Sequence, residues 1–292
     1  MEKPVLLKQG DTIGVCAPSS QFNIKEFEYG VKLLKSLGFK VKVPEEIFNK
    51  RRYLAGSDKL RADVVNSLFA DKNVNAIICA RGGFGAMKIL SFLDWDMISK
   101  NTKPFIGFSD ITSILLCLMQ KTFSPVIHGP NLTSFVSIDE ESVRSFYETI
   151  TCQFKDIKLF KKDIIKKGSN KGILKGGNLS TISHLCGTKF EPEFGNAVLF
   201  LEDINEPAYK IDRMLTQMKM ADMFEKLQAV VLGSFKGCDD KEYIKEIFCE
   251  IFEEKDIPII KGLNSGHTKK NFSLYMGLEV AIDTYNLSFK WM

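Results

Sequence analysis

The feature that most constrains the fold is an alternation running from Asp11 to about Phe135, in which short apolar or β-branched runs are separated by segments of helical spacing. Such alternation marks a parallel sheet covered by helices, because parallel strands need a crossover and the crossover must bury one face. The expected strands are Thr12 to Cys16, Val41 to Val43, Ala76 to Cys79, Pro104 to Ile106 and Pro125 to Ile127. Between the first two, Phe27, Val31, Leu33, Leu34 and Leu37 share a helical stripe that stops at Gly38, where a left-handed cap is cheap. Ser57 is placed to cap a second helix carrying Leu60, Val64, Val65 and Leu68.

After a further expected helix, Asp139 to Thr151, the segment Cys152 to Ser169 is lysine-rich and weakly patterned. This reads as a boundary, with an N-terminal domain over 1–150, a linker over 151–170 and a C-terminal domain over 171–292. Beyond it, the runs "AVLFLED", "QAVVLGSF" and "LEVAIDTYNLSFKWM" mix with the helical "PAYKIDRMLTQMKM" and "KEYIKEIFCEIFEE", which predicts a smaller, β-rich second domain. A chain of 292 residues, 45% hydrophobic, has the apolar content for two cores.

Several function classes are disfavoured. A net charge of +4 with scattered lysines is not a nucleic-acid footprint. No apolar run approaches a membrane span, and the first residues lack the pattern of a secretory signal. The seven cysteines occur singly, without CxxC, as expected of reduced, buried thiols in a cytoplasm. With three histidines and no HExxH, neither a protein-built metal site nor a cofactor is expected.

In a doubly wound sheet, ligands gather at the carboxyl ends of the strands. The strand ending at Cys79 runs into "ARGGFGA". Its spacing is not that of a dinucleotide fingerprint; it suits either a tight turn or an oxyanion nest built on Gly82 or Gly83. The strand ending at Ile106 runs into Gly107, Phe108, Ser109 and Asp110, then a helix. That is the geometry of a nucleophile elbow, although GxSxG would need glycine where Ile111 stands. Taken alone, the stretch reads more readily as Ser109 or Asp110 serving as an ordinary N-cap. His267, in the polar loop "GLNSGHTKKN", is a candidate base, and Glu202 and Asp203 end a buried-looking strand where acids need a task or a partner such as Arg213. His128 ends the next strand, close enough in the sheet to line the same pocket. His184, in a helix-like segment, is expected to be structural.

Nine blocks in order, among them "GDTIGVCAPSS", "ICARGGFGAMKIL", "KPFIGFSDITSILL", "HGPN", "GGNLSTISHLCGT", "FLEDINEPAYKIDRML" and "GHTKKNFSLYMG", resemble the L,D-carboxypeptidase family of serine peptidases, which also contains microcin-immunity peptidases. The resemblance implies an α/β fold with a flavodoxin-like or glutaminase-like N-terminal parallel sheet, a smaller β-rich C-terminal domain and a site between them. It places the nucleophile on Ser109, the acid on Glu202 and the base on His267. Oxyanion amides fall on Asp110 and the turn of Gly82 and Gly83, and substrate contacts on Arg81, His128 and Asn178. Lys269 and Lys270 compete with Arg81 for the substrate carboxylate. Phe84 stands where the family often has tyrosine. The expected function is cleavage of the L,D amide bond to the terminal D-alanine of murein tetrapeptides in cytoplasmic cell-wall recycling, by a homodimer taking a small muropeptide and no nucleic acid or membrane. The alternatives are a microcin-immunity-type peptidase acting on a peptidyl or aminoacyl nucleotide, and a non-catalytic binder of a small ligand. A cysteine amidohydrolase is disfavoured because no cysteine occupies the elbow.

Overall fold

The structure is a computed structural model that describes residues 4–151, 153 and 155–292. The strands among them are β1 (Thr12–Cys16), β2 (Lys40–Lys42), β3 (Ala76–Cys79), β4 (Phe105–Gly107), β5 (Val126–His128), β6 (Ile157–Lys158), β7 (Ile164–Lys166), β8 (Ser169–Asn178), β9 (Ala197–Ile204), β10 (Ala229–Lys236), β11 (Ile259–Ile260), β12 (Leu274–Met276), β13 (Glu279–Asp283) and β14 (Ser288–Trp291). The chain divides into two compact units. One is Met1–Phe154 with Lys269–Tyr275, and the other is Lys155–Thr268 with Met276–Met292.

The first unit holds a sheet of order β12-β5-β4-β3-β1-β2. Strands β2, β1, β3, β4 and β5 run parallel, and their order 2-1-3-4-5 is the flavodoxin-like one that the alternation and the resemblance lead one to expect. Central β3 is buried along its whole length, whereas β2, at the edge, is not, as helices on both faces of a parallel sheet require. The helices start where capping chemistry puts them. Asn23 accepts from the amides of Lys25 and Glu26 ahead of Ile24–Ser36, Ser57 accepts from Leu60 ahead of Asp58–Ala70, and Asp139 accepts from Ser142 ahead of Glu140–Ile150. Helix Thr112–Thr122, which follows β4, is buried from Thr112 to Met119, consistent with its nearly unbroken apolar sequence.

The second unit holds a mixed eight-stranded sheet, β6-β14-β13-β8-β9-β10-β11-β7. Strands β8 to β11 are parallel, while β13, β14, β6 and β7 pair antiparallel on the flanks. Residues 151–170, expected as a linker, instead contain β6, β7 and the start of β8. These are edge or half-buried segments, where lysines blunt the edge against further pairing and so erase the hydrophobic pattern of a strand. Cys152 and Phe154, at that boundary, lie outside the described residues. The return of Lys269–Tyr275 to the first unit was also absent from the expectation. It is fixed by hydrogen bonds from the amide of Asn271 to Ser142 Oγ and from the amide of Asp139 to the Lys269 carbonyl.

Among the described residues the cysteines are free, but not uniformly buried as expected. Cys16, Cys79 and Cys117 are buried, Cys186 and Cys238 half-buried, and Cys249 exposed, because Cys249 sits on the outer face of the amphipathic helix Lys241–Ile251. Among the described residues, no helix is long and apolar enough to cross a membrane, and no group of three or more His, Cys, Asp or Glu is placed to hold a metal ion.

Candidate active site

In the first unit, the elbow follows β4. Phe108 is extended, and Ser109 then takes φ 66°, a left-handed conformation that a non-glycine residue adopts at a cost of about 1–3 kcal/mol. A single 3-10 turn, Ser109–Ile111, leads into helix Thr112–Thr122, and the residues at the two N-cap positions are Phe108 and Ile111, not Ser109 or Asp110. The N-cap reading is thereby overturned. A capping residue has extended backbone and spends its oxygen on the next turn, whereas here the backbone itself is contorted to present the serine. Ile111 packs against Gly107, where an added Cβ would lie 2.8 Å from Ile111 Cγ2 and 2.9 Å from Asn131 Oδ1.

Gly82 closes on the same serine from the turn after β3. A Cβ there would stand 3.0 Å from Ser109 Cβ and 3.2 Å from its Oγ, so the approach of that backbone requires glycine. Gly83, at φ 106°, packs against Ser20 and is exposed. Asp110 is buried, and its Oδ2 accepts from Ser19 Oγ at 2.6 Å and from the Ala86 amide at 2.8 Å. Of the expected substrate contacts in this unit, Arg81 is exposed and donates to the carbonyl of Gln21 at 3.0 Å. His128 is fully buried, edge-on to the Phe108 ring at 6.0 Å. Lys269 lends its backbone carbonyl to Asp139, and Lys270 pairs with Glu141 at 2.6 Å.

In the second unit, Glu202 lies near the end of β9, fully buried. Its Oε2 is 2.8 Å from His267 Nδ1 and accepts from the His267 amide at 3.2 Å. The loop can bring the imidazole this near only because residue 266 is glycine. Gly266 has φ 110°, and a Cβ there would fall 2.5 Å from the same carboxylate oxygen. With Nδ1–H given to Glu202, the lone pair of the ring resides on Nε2, which is the tautomer a general base needs. Burial alone pulls the imidazole pKa down. The Glu202 hydrogen bond and charge, with the charge of Asp203, outweigh it, and the net shift is upward from 6.5 despite Lys236. Asp203 is itself pushed up to about 6, chiefly by burial, against three hydrogen bonds that favour its charged form.

Those bonds reassign two expectations. Asn178, expected to touch substrate, donates from Nδ2 to Asp203 Oδ1 at 3.0 Å and caps helix Leu179–Ser183 with its own Oδ1. It holds Asp203, together with the Ser180 and Ile204 amides. Arg213, the expected partner of the acid pair, instead lies over the Tyr209 ring. His184, exposed, ends that short helix as its C-cap through its backbone N–H. The same unit contains a cavity of about 950 Å³ whose lining includes Lys236, Lys241, Lys261 and Thr268. Burial raises the thiols of Cys79 and Cys117, the latter to about 12, which disfavours either as a nucleophile.

Comparison with known proteins identifies the family of both units. Residues 13–129 match the LD-carboxypeptidase N-terminal domain and residues 171–282 the LD-carboxypeptidase C-terminal domain. The chain is 32% identical to the "Probable murein peptide carboxypeptidase" of Bacillus subtilis, over 97% of this chain and 92% of that one. It is 30% identical to the murein tetrapeptide carboxypeptidase of Pseudomonas aeruginosa, over 89% of each, and 30% identical to the microcin C7 self-immunity protein MccF of Escherichia coli, over 96% and 92%. Among solved structures, MccF in complex with glutamyl sulfamoyl guanosine superposes with a TM-score of 0.89 at 26% identity, covering 98% of this chain and 97% of that one. The muramoyltetrapeptide carboxypeptidase of Oxalobacter formigenes superposes with a TM-score of 0.85 at 25% identity, covering 96% and 97%. With both domains matched in order along nearly its whole length, the chain belongs to the LD-carboxypeptidase family of serine-type hydrolases.

Proposed function

We propose that this chain removes the terminal D-alanine from murein tetrapeptides by metal-free acyl transfer, with Ser109, His267 and Glu202 as its triad. The observation that carries the reading is the left-handed φ of Ser109 at the end of β4, a conformation that an ordinary N-cap does not adopt. His267 Nε2 takes the Ser109 proton as Oγ attacks the carbonyl carbon of the L,D amide. Glu202 holds the ring in the working tautomer and stabilises the imidazolium. The amides of Asp110 and of the Gly82–Gly83 turn receive the oxyanion, each donor contributing about 3 to 4 kcal/mol. Imidazolium then protonates the departing D-alanine amine, and a water activated by the same ring hydrolyses the acyl-serine. The free carboxylates of such a peptide suit a cationic surface, for which exposed Arg81 and the lysine-lined cavity near His267 are the candidates. Cytoplasmic cell-wall recycling by a homodimer is the setting that goes with this reading.

A second reading, hydrolysis of an acyl phosphoramidate nucleotide, is favoured by the likeness to MccF. Against it, neither tryptophan offers a free shelf for a base. Trp95 donates its indole N–H to the Leu90 carbonyl, and Trp291 packs against Phe289. Incubation with a purified muropeptide tetrapeptide and mass spectrometry of the products separates the two. Release of D-alanine, abolished in Ser109→Ala, is expected. Cleavage of a peptidyl sulfamoyl nucleotide alone would favour the second reading, and turnover of neither would leave only a ligand binder.

A further inference from the structure

Arg61, in the first half of helix Asp58–Ala70, is 2% exposed. A guanidinium cannot shed its charge, so burying one is costly unless its donors are met. Two of its partners are backbone carbonyls on separate loops. Nη1 donates to Pro18, in the loop after β1, and to Gly85 at 2.9 Å, in the turn after β3, while Nη2 reaches Asp58. Its Nε is buried without a hydrogen-bond partner. An apolar side chain would cover this helix face at lower cost, so stability does not account for the choice of arginine.

Asp110 grips the same two loops from the other side, through Ser19 Oγ and the Ala86 amide, and its charge favours the charged form of Arg61. The loops are also stitched directly. Ser20 donates its amide to the Gly82 carbonyl at 3.4 Å, and Ser20 Oγ accepts from Phe84 at 3.1 Å. Gly85 has φ 124°, and a Cβ there would come 2.9 Å from Arg61 Nη1, so its backbone is shaped to the guanidinium. The turn so held is the one whose Gly82 faces Ser109.

We propose that Arg61 and the Asp110 carboxylate are positioning residues of the reaction, a buried pair of opposite charges that clamps the loops after β1 and β3 and fixes the Arg81–Gly85 turn against Ser109. The inference rests on the reading of Ser109 as nucleophile. Neither side chain is assigned a contact with substrate. Their contribution is that the oxyanion donors are aimed before the substrate arrives and need no reorganisation when charge develops. An error of about an ångström in such a turn costs about 100-fold in rate.

The test measures D-alanine release and the rate at which a fluorophosphonate labels Ser109, on the full chain. Arg61→Met keeps the aliphatic bulk and removes the donors. It is expected to lower kcat by about 100-fold with KM little changed and to slow labelling in parallel. Arg61→Lys, which restores charge and donors, is expected to recover part of both rates. Ser19→Ala removes a single bond to Asp110, keeps the fold, and is expected to lose about tenfold; it carries the test if Arg61→Met does not fold. A lower melting temperature with kcat of the folded protein unchanged, in Arg61→Met or in Ser19→Ala, overturns the clamp and reduces the pair to structure. A wild-type protein that neither releases D-alanine nor is labelled overturns the Ser109 reading beneath it, a result distinct from failure of the clamp.

Discussion

The two units place their candidate residues by different physics. In the first unit, Ser109 is aimed by its own strained backbone and by the close approach of Gly82. In the second, His267 is aimed by a neighbour, the buried Glu202 carboxylate, over a glycine that makes room for it. On the proposed roles, the nucleophile is therefore a problem of shape and the base a problem of charge. Substitutions that alter shape without charge, or charge without shape, should act on them differently.

The largest expected effects come from deletion. Ser109→Ala should lose about 10⁶-fold in kcat, and Glu202→Gln, which keeps the shape and removes the charge, about 10⁴-fold. Steady-state assays on a muropeptide check both, and equal losses would break the distinction. Next come the glycines. Gly82→Ala adds a methyl against Ser109 at a position without positive φ, so it should cost about 100-fold in kcat with the melting temperature nearly kept. Gly266→Ala should lower both, because φ 110° and the 2.5 Å approach to Glu202 strain the fold as well as the dyad. Paired kinetics and thermal melts decide.

A subtler effect lies in pH. In the proposed role His267 would act as a base only when neutral, and its pKa is raised, so kcat/KM should climb with pH through a value above 6.5. Glu202→Gln removes the main upward influences and should move that limb to lower pH; Asp203→Asn should move it the same way by less. In stability the sign is set by the same shift. The paired imidazolium contributes in full below the ordinary imidazole pKa, and that contribution is lost as pH rises through the raised value. Asp203 acts in the same direction, its burial penalty appearing as pH rises from 3.8 to about 6. The smallest effect tests the strain itself. Ser109→Gly should be more stable than Ser109→Ala by about 1 kcal/mol in chemical denaturation, since only glycine accepts φ 66° without cost.

Much of this arrangement was legible in the sequence, for definite reasons. The strands β1 and β3 fell where expected to the residue, because a centrally buried parallel strand is an unbroken apolar run between turn signals. Strands β2, β4 and β5 were displaced by one residue, since a proline or an edge lysine does not mark where pairing begins. The lysine-bearing edge strands read as a linker for the same reason. At the site, "GFSD" and "SGHT" announced themselves by residue type, but the choice between cap and elbow depended on one dihedral angle that no spacing encodes. Asn131, which holds the backbone of Phe108 from both sides at 3.4 Å, and Arg61 were missed. Their work is done on carbonyls and amides far away in sequence, and the only signal was a polar residue inside an otherwise apolar context.

The central claim is that Ser109 attacks because His267 removes its proton. Intact-protein mass spectrometry after exposure to a fluorophosphonate, followed by peptide mapping, tests it most directly. The account predicts a single adduct on Ser109 that is nearly lost in His267→Ala. An adduct on another residue, or equal labelling of Ser109 without the imidazole, would contradict it.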